Sequence, residues 1–167
     1  MTTTQITAEK GKQELFIERE FDAPRERVFE AFSNPDILSE FFAPFDLTME
    51  FNYHDYRSRG SYSWCNKKGT KTVCTFSGVI HELTAPLRIV QTSEFMELPE
   101  RGNVVLEIIK FDELSGNRTK VTIHDICPSI FVRDAIVNSG MEKGVIDIFN
   151  KLDKFFEAYS NKSSATI

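Results

Sequence analysis

Hydrophobic and polar residues alternate along residues 12–21 of the chain. Leu15 and Ile17 fall on one face of an extended segment, and Glu18 and Glu20 fall on the other, which predicts a half-buried β-strand. Six further segments are rich in β-branched and aromatic residues and are separated by turn signals, which predicts strands over residues 47–52, 61–66, 72–83, 88–95, 104–113 and 120–126. Because the connections between consecutive strands are short, we expect an antiparallel meander.

Two short helices are predicted between the first strand and the second. Asp22 is a candidate N-cap for the first helix, with Pro24 near its first turn. Asn34 and Pro35 are the corresponding N-cap and first-turn residues of the second helix. Pro44 ends the second helix. Both helices contain more Phe than a surface insertion needs, which indicates that they plug, or hold open, a hydrophobic interior.

The C-terminal third changes to a helical period. Apolar residues recur every three or four positions from Ile136 to Tyr159, which predicts a long amphipathic helix with one broad apolar stripe. Gly140 and Gly144 lie on or beside that stripe, where each costs about 1 kcal/mol relative to Ala, so we expect a close approach or a hollow there. The sheet is the only large partner available for the stripe, so the predicted fold class is α+β, with a curved antiparallel sheet around a long helix.

The length of 167 residues fits one domain. We predict that this domain spans residues 12–160, with a disordered or loosely ordered tail over 1–11 and a flexible tail over 161–167. A net charge of −5 without a run of Lys or Arg argues against a nucleic-acid partner. No apolar run reaches the roughly 18 residues that a membrane span needs.

The cysteines and the N terminus indicate a cytoplasmic protein. The first residues lack the apolar region of a secretory signal. Cys65, Cys74 and Cys127 form no CxxC pair, which indicates neither a zinc site nor a disulfide framework. We therefore expect three reduced thiols.

Candidate catalytic and metal-binding groups are few. His54, His81 and His124 show no spacing that places two of them on one helix face, and the sequence contains no nucleophile elbow or glycine-rich phosphate loop. We therefore assign no catalytic residue, no metal and no cofactor. Nothing in the sequence places an acid or base inside a cavity. The groups that would have to serve there are Glu94, His81, Tyr62 and Glu107.

The residues from Arg19 to Phe42 fit the pattern RxFxAPxxxVFxAFxxPxxLxxFF. This pattern resembles the opening motif of the SRPBCC or START-like helix-grip superfamily and, more narrowly, its branch of activator of heat-shock protein 90 ATPase homologues. Residues 55–62 are similar to that branch's D-x-R-x-G-G-x-Y turn, and residues 78–90 to its G-x-V-x-E-I-x-P-P-x-R-L-V segment. Residues 144–152 stand where the branch has G-W-x-x-x-L-x-x-L. Val145 replaces the Trp, which leaves a smaller side chain at the cavity end of the long helix, so the identity of the ligand cannot be inferred from relatives. Ser61 replaces the second Gly of the turn, which indicates that the backbone there tolerates a Cβ atom.

The resemblance implies a deep hydrophobic cavity between the curved sheet and the last helix, with the two short helices at its mouth. It implies a protein that binds a small hydrophobic molecule, either lipid-like or an aromatic metabolite, with no catalysis assigned. Two alternatives stay open, namely a co-chaperone-like module that regulates a heat-shock protein 90 ATPase and a polyketide cyclase/dehydratase-like enzyme. A chaperone is therefore a further candidate partner. The acidic, Phe-rich composition also leaves a homodimer open.

The residues expected to line this cavity are hydrophobic and come from all three parts of the fold. They are Phe29, Phe32, Leu38, Phe41 and Phe42 from the short helices, Trp64, Phe76, Ile89 and Phe95 from the sheet, and Met141, Val145, Ile148 and Phe149 from the long helix.

The candidate polar handles of the cavity are Asp55, Arg57, His81 and Glu94. Asp55 is also explained by a role in its own turn, and Arg57 by pairing with a carboxylate on a neighbouring strand. Arg19 is a single Arg in a strand that alternates with Glu, so we expect it to be ion-paired or to lie along the apolar surface.

Overall fold

The computed structural model describes residues 2–164, with side chains up to residue 160. Its strands are β1 (Gln5–Thr7), β2 (Glu14–Phe21), β3 (Thr48–His54), β4 (Ser61–Lys68), β5 (Lys71–Thr84), β6 (Arg88–Phe95), β7 (Val104–Leu114) and β8 (Arg118–Ile126). Its helices are α1 (Arg25–Ser33), α2 (Pro35–Phe41), α3 (Ile130–Asn138) and α4 (Met141–Ser164). The eight strands form one sheet in the order β1-β2-β8-β7-β6-β5-β4-β3, and every neighbouring pair is antiparallel.

The predicted fold class is confirmed, because a curved antiparallel sheet packs around a long C-terminal helix and two short helices follow the first predicted strand. The additional strand β1 lies within residues 1–11, for which the sequence predicted a disordered or loosely ordered tail. Gln5–Thr7 pairs with β2, and Ile6 packs against the core, which orders this edge strand. At the other end, α4 continues to Ser164. The rest of the predicted tail, residues 165–167, lies outside the described residues.

The two short helices begin in different ways. Helix α1 follows Pro24, which has no side-chain capping bond, and Asp22 instead pairs with Arg118 of β8 at 3.2 Å. The prediction that Asp22 caps α1 is therefore wrong. The side-chain oxygen of Asn34 accepts a hydrogen bond from the backbone N–H of Asp36 at 3.0 Å, which confirms the predicted start of α2.

The apolar pattern of the C-terminal third is divided between two helices. Gly140 has a φ of +84°, a left-handed conformation that suits glycine immediately after a helix. Helix α3 therefore ends before this residue, and α4 begins directly after it. The prediction that Gly140 lies inside one continuous helix is wrong.

Gly144 lies inside α4, where a Cβ atom would meet Pro44 Cγ at 3.7 Å, an ordinary van der Waals contact. We therefore expect Gly144→Ala to raise the free energy of unfolding by about 0.5–1 kcal/mol, because glycine loses more backbone freedom than alanine in a helix. Urea denaturation measures the change. Gly140→Ala is the matched control and should destabilise the protein, because its positive φ is strained for alanine. Destabilisation by Gly144→Ala would show that this position does need glycine.

Aromatic side chains join the sheet to the helices. On β2, the Phe21 ring lies 5.5 Å from Phe149 and 6.0 Å from Phe156 of α4, measured between ring centroids. On β7, the Phe111 ring lies 5.1 Å from Phe29 and 5.4 Å from Phe32 of α1. The long helix therefore rests on one end of the concave sheet face, and α1 covers the adjoining part.

A buried arginine, Arg19, lies between β2 and α4. Arg19 of β2 forms an ion pair with Asp153 of α4. Its guanidinium also donates to Asn150 Oδ1 at 3.0 Å and to Thr4 Oγ1 at 2.8 Å. The expectation that Arg19 is paired is confirmed. None of the helices that the structure describes is long and apolar enough to cross a membrane.

Candidate functional site

An interior cavity of about 60 Å³ lies between the concave sheet face and the two short helices. Most of its wall is apolar and is formed by Phe32, Leu38, Phe42, Met49, Trp64, Ile109 and Ile123. The remaining wall is polar and is formed by Tyr56, Tyr62, Gln91, Ser93 and Glu107. An apolar enclosure with a few convergent polar groups is typical of small-molecule sites.

Four of the predicted cavity residues line this space, namely Phe32, Leu38, Phe42 and Trp64. The other candidates on the short helices, Phe29 and Phe41, are buried in the core. On α4, Phe149 is buried in that core, and three further candidates pack against it rather than line the cavity: Met141, Val145 and Ile148.

The other sheet candidates lie around the cavity at greater distance. Phe76 stacks on Trp64 with 4.5 Å between ring centroids and stands opposite it on β5, so it lies beside Trp64 on the same sheet face. Phe95 contacts Phe76 at 5.3 Å and is partly exposed to solvent. Ile89 is fully buried in the core.

The aromatic rings of α1 and α2 contact one another and fill most of the interior. Phe32 lies 6.0 Å from Phe41, and Phe41 lies 6.0 Å from Phe42. Phe42 then reaches across to Trp64 of β4 at 5.6 Å. These edge-to-face contacts explain why the cavity is small, although three of the four rings also lie on its wall.

The polar wall continues across three neighbouring strands. Gln91 of β6 stands opposite Glu107 of β7, which stands opposite Asp125 of β8. Gln91 Nε2 donates to Glu107 Oε2 at 2.7 Å. Asp125 is buried, and its Oδ1 atom has no hydrogen-bond partner among the described residues. Two carboxyl groups are therefore side by side on the inner sheet face.

Burial is the main electrostatic influence on this pair. It raises the pKa of Glu107, and the hydrogen bond from Gln91 opposes the shift. Burial also raises the pKa of Asp125 well above its usual range, and the neighbouring Glu107 carboxyl adds to the shift. Removal from water and like-charge repulsion both disfavour the ionised forms.

The predicted polar handles lie outside the cavity lining. Asp55 and Arg57 pair with each other at 2.9 Å in the exposed β3–β4 connection. The prediction that Arg57 pairs with a carboxylate on a neighbouring strand is therefore wrong. His81 is exposed on β5. Glu94 accepts a hydrogen bond from the Gly102 N–H at 2.7 Å, in the β6–β7 connection.

Strand alternation is the signal that identifies the polar wall. Ile109 and Phe111 point to the core from β7, and the same phase places Glu107 inward. On β8, Val121 and Ile123 share the phase of Asp125. Sequence reasoning named Glu107 and Tyr62 without placing them, and it missed Tyr56, Gln91, Ser93 and Asp125.

The histidines and cysteines lie apart from this site. His124 stacks on Phe16 at 4.3 Å and hydrogen-bonds Glu14 at 2.5 Å. Within the described part of the chain, no three or more His, Cys, Asp or Glu residues are grouped as metal ligands. The three cysteines are free, and burial, reinforced by Asp125, raises the pKa of Cys127 to about 11.

A larger cleft of about 250 Å³ lies outside the sheet, between α1 and the C-terminal part of α4. The Arg27 guanidinium lies 4.1 Å from the centroid of the Tyr159 ring in this cleft and also pairs with Glu30 at 2.9 Å. The charged side chains of this cleft, Arg27 and Glu30, therefore pair with each other. The inner cavity is the better candidate site, because buried polar groups with altered pKa values converge there.

Solved structures share this fold. A protein from Rhodobacter sphaeroides has a TM-score of 0.82 at 18% identity, covering 93% of this chain and 99% of that one. A protein from Mycobacterium smegmatis has a TM-score of 0.79 at 19% identity, covering 93% and 96%. The AHSA1 protein from Silicibacter pomeroyi has a TM-score of 0.70 at 18% identity, covering 87% and 99%. Such low identities establish the fold alone.

Sequence comparison is more specific about the family. Among curated proteins, none matches this sequence. The model of the family described as Activator of Hsp90 ATPase homolog 1-like protein matches residues 22–157, which include α1, α2, the whole polar wall and most of α4. The chain belongs to the Activator of Hsp90 ATPase homolog 1-like protein family.

Proposed function

We propose that this protein binds a small hydrophobic molecule, lipid-like or aromatic, in the interior cavity. The observation that carries the proposal is a cavity beneath the two short helices with aromatic and aliphatic walls and a group of polar side chains. Burying an apolar ligand there gains roughly 25 cal/mol for each Å² removed from water. The polar groups at one end would fix the orientation of the ligand.

The size of the cavity indicates how a ligand would be admitted. About 60 Å³ is far below the roughly 300–1,000 Å³ of typical ligand pockets. A guest must therefore displace side chains, and Phe32, Leu38 and Phe42 form the wall carried by the short helices. Helix α2 has only seven residues, too few for a stable helix without its packing. We infer that outward movement of α2 opens the cavity.

The connection after α2 limits this movement. Lys151 of α4 donates to the backbone carbonyls of Ala43 and Pro44, at 2.7 and 3.0 Å. These bonds hold the chain just beyond Phe42, so Pro44 is a natural pivot for the displacement of α2.

Small-molecule binding is tested by native mass spectrometry of the purified protein, followed by solvent extraction. A thermal-shift screen with fatty acids, isoprenoids and flavonoid-like compounds extends the search. We expect a retained molecule or a raised melting temperature, with a larger shift for Phe42→Ala, which enlarges the cavity. Phe131→Ala is the matched control, because Phe131 is 82% exposed. No retained molecule and no thermal shift in either the parent protein or Phe42→Ala would refute the proposal.

The family description also names activation of the Hsp90 ATPase, and a chaperone is the competing partner. We favour a small molecule because the cavity is a feature of this chain, whereas none of the contacts within residues 2–160 marks a chaperone-docking surface. A pull-down with the chaperone distinguishes the two. Retention at micromolar concentration that is independent of Phe42→Ala would favour the chaperone.

A further inference from the structure

The polar end of the cavity indicates which class of molecule it accepts. We propose that the ligand is a cationic amphiphile, an amine whose head group binds at the Glu107 and Asp125 carboxyls while its apolar body lies along the aromatic wall. This inference rests on the proposed function, since it concerns the same cavity.

The first argument is the placement of the carboxyls. Glu107 lines the cavity, and Asp125 stands directly beside it on β8. Ile123 also lines the cavity and lies two residues before Asp125, so both side chains leave the same face of β8. Asp125 is 91% buried, and its Oδ1 atom has no hydrogen-bond partner within the part of the chain that the structure describes. A buried carboxyl oxygen without a donor is costly, and a ligand N–H group would satisfy it.

The second argument is the missing counter-charge. The cavity lining contains no Lys, Arg or His among the residues that the structure describes. The two buried arginines near this layer are committed elsewhere. Arg19 pairs with Asp153, and Arg133 pairs with Asp134 and donates to the carbonyl of Glu9 at 2.8 Å. A cation for Glu107 and Asp125 has to come from a ligand.

The third argument is the balance of hydrogen-bond donors and acceptors. The Tyr62 hydroxyl donates to the Thr92 carbonyl at 2.6 Å, and it also has a hydrogen bond with the Ser93 side chain. One N–H of Gln91 is used by Glu107. The free oxygens of the two carboxyls add further acceptors. When both carboxyls are ionised, their oxygens outnumber the remaining donors, which are the second N–H of Gln91 and the hydroxyls of Tyr56 and Ser93. The polar groups then complement an ammonium group with three donors.

The aromatic wall suits a cation as well. The rings of Tyr56 and Tyr62 lie 5.8 Å apart at this end, and Trp64 lines the same space. The face of an aromatic ring attracts a cation, more strongly where water is excluded. The same rings provide apolar contact for an alkyl or aryl body.

Proton exchange should accompany binding. In the empty cavity, burial favours the protonated carboxyls, whereas an ammonium group favours the ionised forms. Binding of a charged amine should therefore release protons from the pair to the buffer. The titratable groups that act on the pair from neighbouring elements are Tyr56 and Tyr62, which interact with Glu107, and Cys127, which interacts with Asp125.

Isothermal titration at pH 7 with n-octylamine, n-octanol and octanoate tests the inference, because the three probes share one apolar chain. We expect octylamine to bind at least about tenfold more tightly than octanol, as a charge-assisted hydrogen bond implies, and octanoate to bind most weakly. Repeating the octylamine titration in buffers of different ionisation enthalpy should show proton release. Glu107→Gln and Asp125→Asn should each reduce the preference for octylamine over octanol.

Asp112→Asn is the matched control, because Asp112 lies on the solvent side of the same strand as Glu107. It should keep the full preference for the amine. Circular dichroism and the melting temperature of each variant confirm folding, and removing a buried carboxyl should not lower that temperature. Equal binding of octanol and octylamine, or a full amine preference in both carboxyl variants, would overturn the inference while leaving the proposed function intact. Binding of none of the three probes would overturn both.

Discussion

Replacing Phe111 with Ala should lower the free energy of unfolding by about 3–5 kcal/mol, the usual cost of removing a buried aromatic ring. Phe111 is only 2% exposed and makes edge-to-face contacts with both Phe29 and Phe32. Each such aromatic pair adds about 0.5–1.5 kcal/mol beyond burial. The residue therefore anchors α1 to β7, and its loss would use up a large share of the roughly 5–15 kcal/mol that stabilises a typical domain.

Equilibrium urea denaturation of the parent protein and the variant measures this loss. Phe131→Ala is the control for the chemical change itself, because the exposed ring of Phe131 should contribute less than about 0.5 kcal/mol. If Phe111→Ala does not fold, Phe111→Leu retains part of the contact and should show a smaller loss of the same sign. A Phe111 variant as stable as the Phe131 variant would show that α1 is held to the sheet by other contacts.

The sheet could be predicted from sequence because each main strand carries its own alternation. Glu14–Phe21 and Val104–Leu114 are long enough for several inward positions to agree in phase. Strand β1 has only three residues with one apolar side chain, Ile6, so its burial pattern is too short to recognise. Its order comes from pairing with β2, which is a tertiary effect.

The break at Gly140 was missed for a different reason. Apolar residues continue at helical spacing on both sides of it, so the period alone favours one helix across Ile136, Met141 and Val145. A glycine within such a pattern is compatible with a strained helix interior or with a helix end. The Asn138–Ser139–Gly140 sequence fits a helix end, as the positive φ confirms.

The candidate site was predictable only in part. Phe32 and Trp64 were found because large apolar residues in the right elements are expected to face the interior. How deeply α4 packs cannot be determined from its own sequence, and Met141 and Val145 reach the core rather than the cavity. A carboxylate at an inward strand position contradicts the usual hydrophobic pattern, so Asp125 was overlooked and Glu107 was named without being placed in the cavity.

Three ionisable residues of the inner sheet face, Arg19, Glu107 and Asp125, differ in the number of hydrogen-bond and ion-pair partners that they have. Arg19 has a carboxylate, an amide and a hydroxyl as partners, and it fixes α4 against β2. Glu107 accepts a hydrogen bond from the neutral side chain of Gln91, and Asp125 Oδ1 has no hydrogen-bond partner among residues 2–160. Arg19 therefore has an ion-pair partner and supports the fold. The two carboxyls, whose protonated forms are favoured by burial, are left for a ligand.

Removing the partner of Arg19 should therefore be costly. We expect Asp153→Ala to lower the free energy of unfolding by about 3 kcal/mol, at the low end for breaking a buried pair, because the Asp153 side chain is 24% exposed and Asn150 still accepts from Arg19. The measurement is urea denaturation at neutral pH. Glu82→Ala removes the exposed pair with Arg88 and should cost less than about 1 kcal/mol.

The double variant Arg19→Met with Asp153→Leu should recover most of that loss. Burial raises the pKa of Asp153 despite the neighbouring Arg19 guanidinium, so desolvation outweighs the attraction within the pair. Under that condition, apolar side chains of similar volume often replace a buried ion pair at no net cost. A double-mutant cycle over the two positions gives the coupling energy directly. If the double variant is as unstable as Asp153→Ala, the contribution of Arg19 lies in its bonds to Thr4 and Asn150 rather than in the ion pair.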